Sequence, residues 1–163
     1  MAWYWVIDDV LAGRCGPACV PWDLPALRQD FGAIVSLDAH SVDAADIEEL
    51  GFWHLPAYRP MLTLETESEH RKFLEVMPPI IWFIDRCRGA GRPVFVHCHY
   101  GCDRTGCALG CYLIAREGMS PLAAYERVKE RNPNAYGQAG YAEAMLTFDK
   151  LLKKNPSWLE VPA

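Results

Sequence analysis

Val94-Phe95-Val96-His97-Cys98-His99-Tyr100-Gly101-Cys102-Asp103-Arg104-Thr105-Gly106 is the stretch on which the reading of this chain turns. It opens with a short apolar run of strand length, the kind that is covered on both faces of a sheet. It closes at the mouth of a second apolar segment, Thr105 to Arg116, whose pattern is helical and almost wholly hydrophobic. A cysteine leaves the buried strand and an arginine stands six positions later. That arrangement suits the binding of a tetrahedral oxyanion. A tight loop turns successive backbone N–H groups inward as an anion nest, and a helix N-terminus adds partial positive charge. Arg104 supplies a planar fork for two oxygens, and Gly101 permits a positive φ or a close ligand approach. The same field favours a thiolate, since cysteine pKa falls at helix N-termini and beside cations. Cys98 is therefore expected to be ionised at neutral pH and ready to attack phosphorus, giving a phosphocysteine. His97 and the Thr105 hydroxyl are both placed to assist the sulfur.

Outward from this loop, apolar runs alternate with helical patterns. Trp3 to Ile7 and Val10 to Ala12 read as strands joined by an Asp8-Asp9 turn, and Ala33 to Leu37 as a second buried strand. Asp23 caps a short helix through Asp30, and Ser41 or Asp43 opens another that Gly51 closes. Phe52 to Leu55 is the next strand, followed after Pro56 by a loop, Ala57 to Leu64, rich in Pro, Tyr and Arg. Thr66 and Glu69 fit a capping box before a helical stretch to Arg88, which Pro78-Pro79 must kink or split. Ser120-Pro121 starts a helix that ends before Asn132-Pro133, and a last helix runs from about Gly140 to Lys154. The order predicts an α/β fold, a central mostly parallel sheet with helices on both faces. No repeat, low-complexity tract or linker interrupts it, so residues 1–163 read as one domain.

Sixteen basic against 21 acidic residues give a net charge of −5, which argues against a nucleic-acid partner. With 51% hydrophobic and 23% charged residues the composition is globular rather than disordered. No apolar run approaches the roughly 20 residues of a membrane span, and the start lacks a basic leader pattern, so a cytoplasmic location is expected. The seven cysteines are an odd number, and four crowd into the segment from Cys98 to Cys111. That is no disulfide framework, and the thiols are expected to be reduced.

The pattern His97-Cys98-x-x-Gly101-x-x-Arg104-Thr105-Gly106 resembles the phosphate-binding loop of cysteine-based protein tyrosine phosphatases, and the short chain is similar to their compact dual-specificity branch. Six such positions coincide by chance on the order of once in a million chains of this length. The likeness extends from Trp3 to about Lys150 through the order of elements. It implies that Cys98 is the nucleophile and Arg104 the phosphate-binding arginine. It also implies that the amides of His99, Tyr100, Gly101, Cys102, Asp103 and Arg104 hold the phosphate oxygens, and that Thr105 eases breakdown of the phosphoenzyme. Such enzymes act without a metal or organic cofactor on phosphoproteins, phosphoinositides, inositol phosphates or nucleotide and RNA phosphates. The lack of extra Lys or Arg in this loop favours a phosphorylated protein or small phosphoester, with a phosphoinositide or inositol phosphate as the alternative.

One departure from the family pattern concerns the general acid, an aspartate expected just behind a proline on the loop after the preceding strand. Here that stretch is His54-Leu55-Pro56-Ala57-Tyr58-Arg59, and alanine cannot protonate a leaving oxygen. Glu65 or Glu67 could serve from farther along the loop. Asp103 could serve from within the phosphate loop, as proposed for the similar myotubularin arrangement, and this is the favoured acid, with a helix-cap or arginine-partner role as its plain alternative. A third possibility is a phosphate-binding module without a strong acid. A sulfurtransferase or arsenate reductase is disfavoured by the Gly101 and Arg104-Thr105-Gly106 pattern.

Other residues have blander readings. Cys107 and Cys111 lie four apart on an apolar helix as core residues, while Cys102 is a conceivable redox partner of Cys98. His97, Cys98, His99 and Cys102 lack the paired spacing of a zinc site. Cys15 and Cys19 flank a loop proline without forming a site. Tyr58 and Arg59 read as solvated loop residues, with a place at the substrate mouth as the alternative. His70-Arg71-Lys72 reads as a solvated helix face, and Gln138 as a helix-start residue.

Overall fold

A computed structural model describes residues 3–162. Its five-stranded sheet has the order β1-β2-β5-β3-β4. β1 (Trp3–Ile7) and β2 (Leu11–Arg14) form an antiparallel hairpin, and β2, β5 (Val94–His97), β3 (Ala33–Ser36) and β4 (Trp53–Pro56) run parallel. β5 lies at the centre, paired with β2 on one side and β3 on the other, and all four of its residues are buried. The sequence expectation of a mostly parallel α/β sheet covered on both faces therefore holds.

Alternation along the strands divides the core. Ala12, Ile34 and Phe95 point to one face and pack with Leu27 and Phe31, around α1 (Leu24–Leu27), and with Ile47 of α2 (Ala44–Glu49). Leu11, Ala33, Val35, Val94 and Val96 point to the other. There they meet α3 (Glu67–Leu74), α4 (Met77–Gly89), α5 (Arg104–Arg116), α6 (Pro121–Arg131) and α7 (Tyr141–Lys154). Residues 104–114 of α5 are all buried, as an apolar pattern without a polar face requires. Among the described residues no helix is long and apolar enough to cross a membrane.

The expected caps are present. The Asp23, Asp43, Thr66 and Ser120 side chains each accept an N–H three residues on, and Thr66 with Glu69 completes a capping box. The proline pair splits its helical stretch as expected, and two expectations, the end of α1 and the exposure of His70, need correction. The first short helix ends at Leu27 rather than Asp30. The stretch to Arg88 breaks at Glu75–Val76, ahead of the prolines, because Pro78 and Pro79 fit the first turn of α4, where no intrahelical N–H bond is lost. His70 is buried rather than solvated, its ring bonded to Thr147 Oγ1 (3.0 Å) and to the Leu64 carbonyl (3.3 Å). A 3-10 turn, Pro156–Leu159, follows α7, and the Leu159 carbonyl accepts from Trp82 Nε1.

Four strand ends, at Arg14, Ser36, Pro56 and His97, open onto one edge of the sheet, the carboxyl edge where open α/β folds bind ligands. Phe95 anchors this edge from below, packing edge-on to Trp22 and Phe31. Phe95→Ala is expected to cost about 3–5 kcal/mol in urea unfolding, whereas Leu146→Ala, at an exposed helix position, should stay within about 0.5 kcal/mol.

Candidate active site

Residues 98–103 leave β5 and enter α5 as a loop whose carbonyls are all engaged. His97 Nδ1 donates to the Cys98 carbonyl (2.9 Å) and the Gly16 N–H to that of His99 (2.9 Å). Tyr4 Oη (2.6 Å) and Asn132 Nδ2 (3.3 Å) donate to Gly101, and the Cys102 thiol reaches Tyr100 (3.5 Å). The carbonyls of Cys102 and Asp103 accept from Gly106 and Cys107 in the first turn of α5. In a planar trans peptide the C=O of one residue and the N–H of the next point in opposite directions. Carbonyls drawn outward at 98–103 therefore turn the amides of 99–104 inward, and the anion nest is built. Gly101 takes φ 74°, and a Cβ there would lie 2.6 Å from the Arg14 carbonyl oxygen, so only glycine closes this turn.

Cys98 is buried inside the ring, its Sγ accepting from the Gly101 N–H at 3.3 Å. Arg104 begins α5 with only 2% of its surface exposed. One terminal nitrogen donates to the Arg59 carbonyl (2.7 Å) and lies 3.4 Å from Asp38 Oδ1, while its Nε is buried without a partner. The expected contact of Thr105 with the sulfur is absent, and its buried hydroxyl likewise has no partner. A buried guanidinium N–H and a buried hydroxyl left unpaired beside a ring of inward amides form a donor set that lacks its acceptor. A tetrahedral oxyanion carries acceptors of the kind such a donor set would take.

Behind the loop runs a chain of hydrogen bonds. His97 Nδ1 faces a carbonyl and so carries the proton, and Nε2 accepts from Ser36 Oγ (2.6 Å), which in turn accepts from His54 Nε2 (2.8 Å). Burial pulls the His97 pKa down to about 4, so the ring is neutral and acts as a brace, not a proton shuttle.

The acidic side chains differ in placement. Asp103 Oδ1 accepts the Gln138 N–H (2.9 Å), and Gln138 Nε2 donates to Thr63 Oγ1 (2.9 Å), tying the 57–64 loop to the phosphate loop. Gln138 thus lies ahead of α7 as a clamp, not at a helix start. Ala57 is buried at the end of β4, its N–H on the Ser36 carbonyl. Glu65 is exposed, and Glu67 pairs with Arg71 on the exposed flank of α3. The carboxylate that the sequence reading missed is Asp38, two residues beyond β3, facing both Arg104 and His99 Nδ1 (3.8 Å). The register of Ser36 with His97 brings it there. The signal was an acid just past the end of a buried strand, at the edge where ligands bind.

The remaining loop residues are His99, half-buried against Tyr100, and Tyr100 itself, 59% exposed at the rim. All seven cysteines are free. Burial raises the Cys102 pKa, and Asn132 Nδ2 lies 3.7 Å from its sulfur. Cys107 and Cys111 belong to the core as expected.

Two outcomes follow from this geometry. Gly101→Ala should weaken tungstate binding at least about tenfold while the far-ultraviolet circular dichroism stays native, because it disturbs the ring and not the core. Unfolded His97 titrates near 6.5 but the folded ring only near 4, so the stability it contributes is present above pH 6.5 and is lost as pH falls towards 4. Between pH 7 and 5 the wild type should lose about 2 kcal/mol more than His97→Gln in urea unfolding.

Comparison with known proteins agrees with this construction. Residues 35–150 match the family model for the dual specificity phosphatase catalytic domain. Dual specificity protein phosphatase 1B of Arabidopsis thaliana is 33% identical over 73 residues, covering 45% of this chain and 44% of that protein. Tyrosine-protein phosphatase vhp-1 of Caenorhabditis elegans is 25% identical over 139 residues, covering 75% of this chain and 20% of its own length. The chain thus spans less than half the length of these curated relatives. The crystal structure of Tk-PTP in its active form superposes with a TM-score of 0.76 at 22% identity, covering 91% of this chain and 97% of the other, a likeness of fold. With the family match running from β3 through the phosphate loop to α7, the chain belongs to the dual specificity phosphatase catalytic domain family.

Proposed function

We propose that the protein is a phosphomonoester hydrolase that forms a phosphocysteine on Cys98 and prefers aryl phosphates, phosphotyrosine among them. The observation that carries this reading is the unfilled donor set, the inward amides of 99–104 with the unpaired Nε of Arg104, closed around a cysteine sulfur. Cys98 Sγ attacks phosphorus in line, the P–O bond to the leaving group breaks, and that oxygen departs with the electron pair. Water then attacks the phosphocysteine, the S–P bond breaks, and inorganic phosphate leaves with the thiolate restored. Arg104 and the amides meet the charge on the equatorial oxygens in both steps.

The preference for aryl esters rests on the carboxyls. Ala57 offers none, and the Asp103 carboxylate is already engaged in the scaffold, accepting the Gln138 N–H that ties the loops together. Phenolic oxygens leave with little protonation and alkyl oxygens do not. Tyr100 of the phosphate loop is 59% exposed, and an exposed aromatic ring there suits an aromatic leaving group. A reducing, cytoplasmic setting fits a thiol nucleophile, and the net charge of −5 fits a phosphorylated protein or small phosphoester better than nucleic acid.

Cys98→Ser is expected to lower aryl phosphate turnover at least about 1,000-fold while retaining phosphate affinity, and retained turnover would exclude the covalent route. Wild type should cleave a phenyl phosphate and leave an alkyl phosphate nearly untouched, with Asp103→Asn changing the aryl rate less than about tenfold. Equal cleavage of both esters, with the alkyl rate abolished in Asp103→Asn, would instead make Asp103 the general acid.

A further inference from the structure

We propose that Asp38, His40 and His99 bind a divalent transition-metal ion of the zinc class at the mouth of the phosphate loop. One ligand atom from each of the three lies within 4.8 Å of the other two. The set is one carboxylate and two imidazoles, the donors that zinc and its first-row neighbours take, whereas magnesium and calcium take oxygen alone. Asp38 Oδ2 and His99 Nδ1 are 3.8 Å apart. Two ligands of a tetrahedral zinc with bonds of about 2.0–2.1 Å stand roughly 3.3–3.4 Å from each other, so small side-chain rotations close the site.

Two different pieces of the fold supply the ligands and hold them in place. His99 belongs to the phosphate loop, which the Gly16 N–H pins at its carbonyl. Asp38 leaves the buried strand β3, and the His40 N–H folds back onto Asp38 Oδ2 at 3.3 Å, so the two residues share one tight turn. Ser41, at φ 61°, ends that turn. The His40 ring is exposed, and its centroid is 6.0 Å from that of His99. Arg104 is the cation that would oppose an ion here, and the carboxylate separates the two. Oδ1 faces Arg104 while Oδ2 faces His99 and the His40 amide, so a bridging Asp38 serves one positive centre on each oxygen. The fourth ligand position is left for water.

The site requires no phosphatase chemistry. Its consequence for turnover rests on the function proposed above. An ion and its water at the mouth, beside the arginine that must receive substrate, obstruct the approach to Cys98, so zinc inhibits and a chelator restores activity.

The test starts from Cys98→Ser protein, which removes the nucleophilic thiol as a competing ligand and needs no turnover. Titration with cobalt(II) alone should give the visible bands of a low-coordinate ion bound once per chain, without the intense near-ultraviolet band of thiolate ligation. Adding His40→Ala should weaken cobalt and zinc binding at least about tenfold in absorption and calorimetry. His40→Gln repeats the comparison if the alanine variant is poorly folded. A thiolate band, or unchanged affinity in both His40 variants, would overturn the proposal. With the Cys98 nucleophile restored, His40→Ala should keep the wild-type basal rate but lose at least about tenfold in zinc sensitivity. Equal zinc inhibition of the two would assign the inhibition to a thiol and overturn the proposed consequence. A chain that bound cobalt as described yet hydrolysed no ester would retain the metal site and lose the phosphatase reading.

Discussion

Everything at this site depends on one constraint of the peptide plane: six consecutive carbonyls must be held away from the centre of a loop for six amides to face it. A short loop does not do this alone, because carbonyls and amides compete for the same space. The chain supplies donors from far away in sequence. Tyr4 of β1 reaches Gly101 across 97 positions, the Gly16 N–H takes His99, and Asn132 after α6 shares Gly101. The approach is close: a Cβ on Gly16 would collide with the Cys98 carbonyl oxygen, so the segment after β2 must be bare at that point. The antiparallel hairpin at the edge of an otherwise parallel sheet thus has a physical role, since it carries the back wall of the anion nest.

The second constraint is electrostatic. Arg104 is almost wholly buried, which is costly for a cation unless its N–H groups are paired. Asp38 and the Arg59 carbonyl meet one terminal nitrogen, and the Nε is left over. On the function proposed above, an arriving phosphate would complete the set and relieve part of the cost of burying the guanidinium. Arg104 at the same time fixes the loop that begins at Ala57, and Gln138 fixes it again through Thr63. The phosphate loop and the substrate mouth are therefore mechanically joined, and the carboxyls near them are spent on holding that geometry.

The sequence disclosed whatever is local. Buried strands, helix caps and the spacing of Cys98 to Arg104 are short-range patterns, and the sheet, the helices and the anion loop follow from them. What it concealed depends on which strand ends lie side by side. Asp38 belongs to the site because β3 pairs with β5 in the register Ser36 to His97, and an acid just past a buried strand hints at this without fixing which strand end it meets. His70 is polar and sits between two charged residues, yet Thr147 and Leu64, brought by α7 and the loop before α3, give its ring both partners and let it be buried. The proline pair divides the helical stretch as its chemistry requires, with the break just ahead of it because a proline pair begins a helix as readily as it ends one.

The central claim is that the loop makes Cys98 a transient phosphate carrier. Acid-quenched reaction with an aryl phosphate, followed by mass spectrometry of the peptide containing Cys98, examines it most directly. The account predicts an added phosphoryl group on the Cys98 sulfur that forms during turnover and disappears when substrate is exhausted. Turnover with the Cys98 peptide unmodified at every quench time, or with the phosphoryl group on another residue, would contradict it.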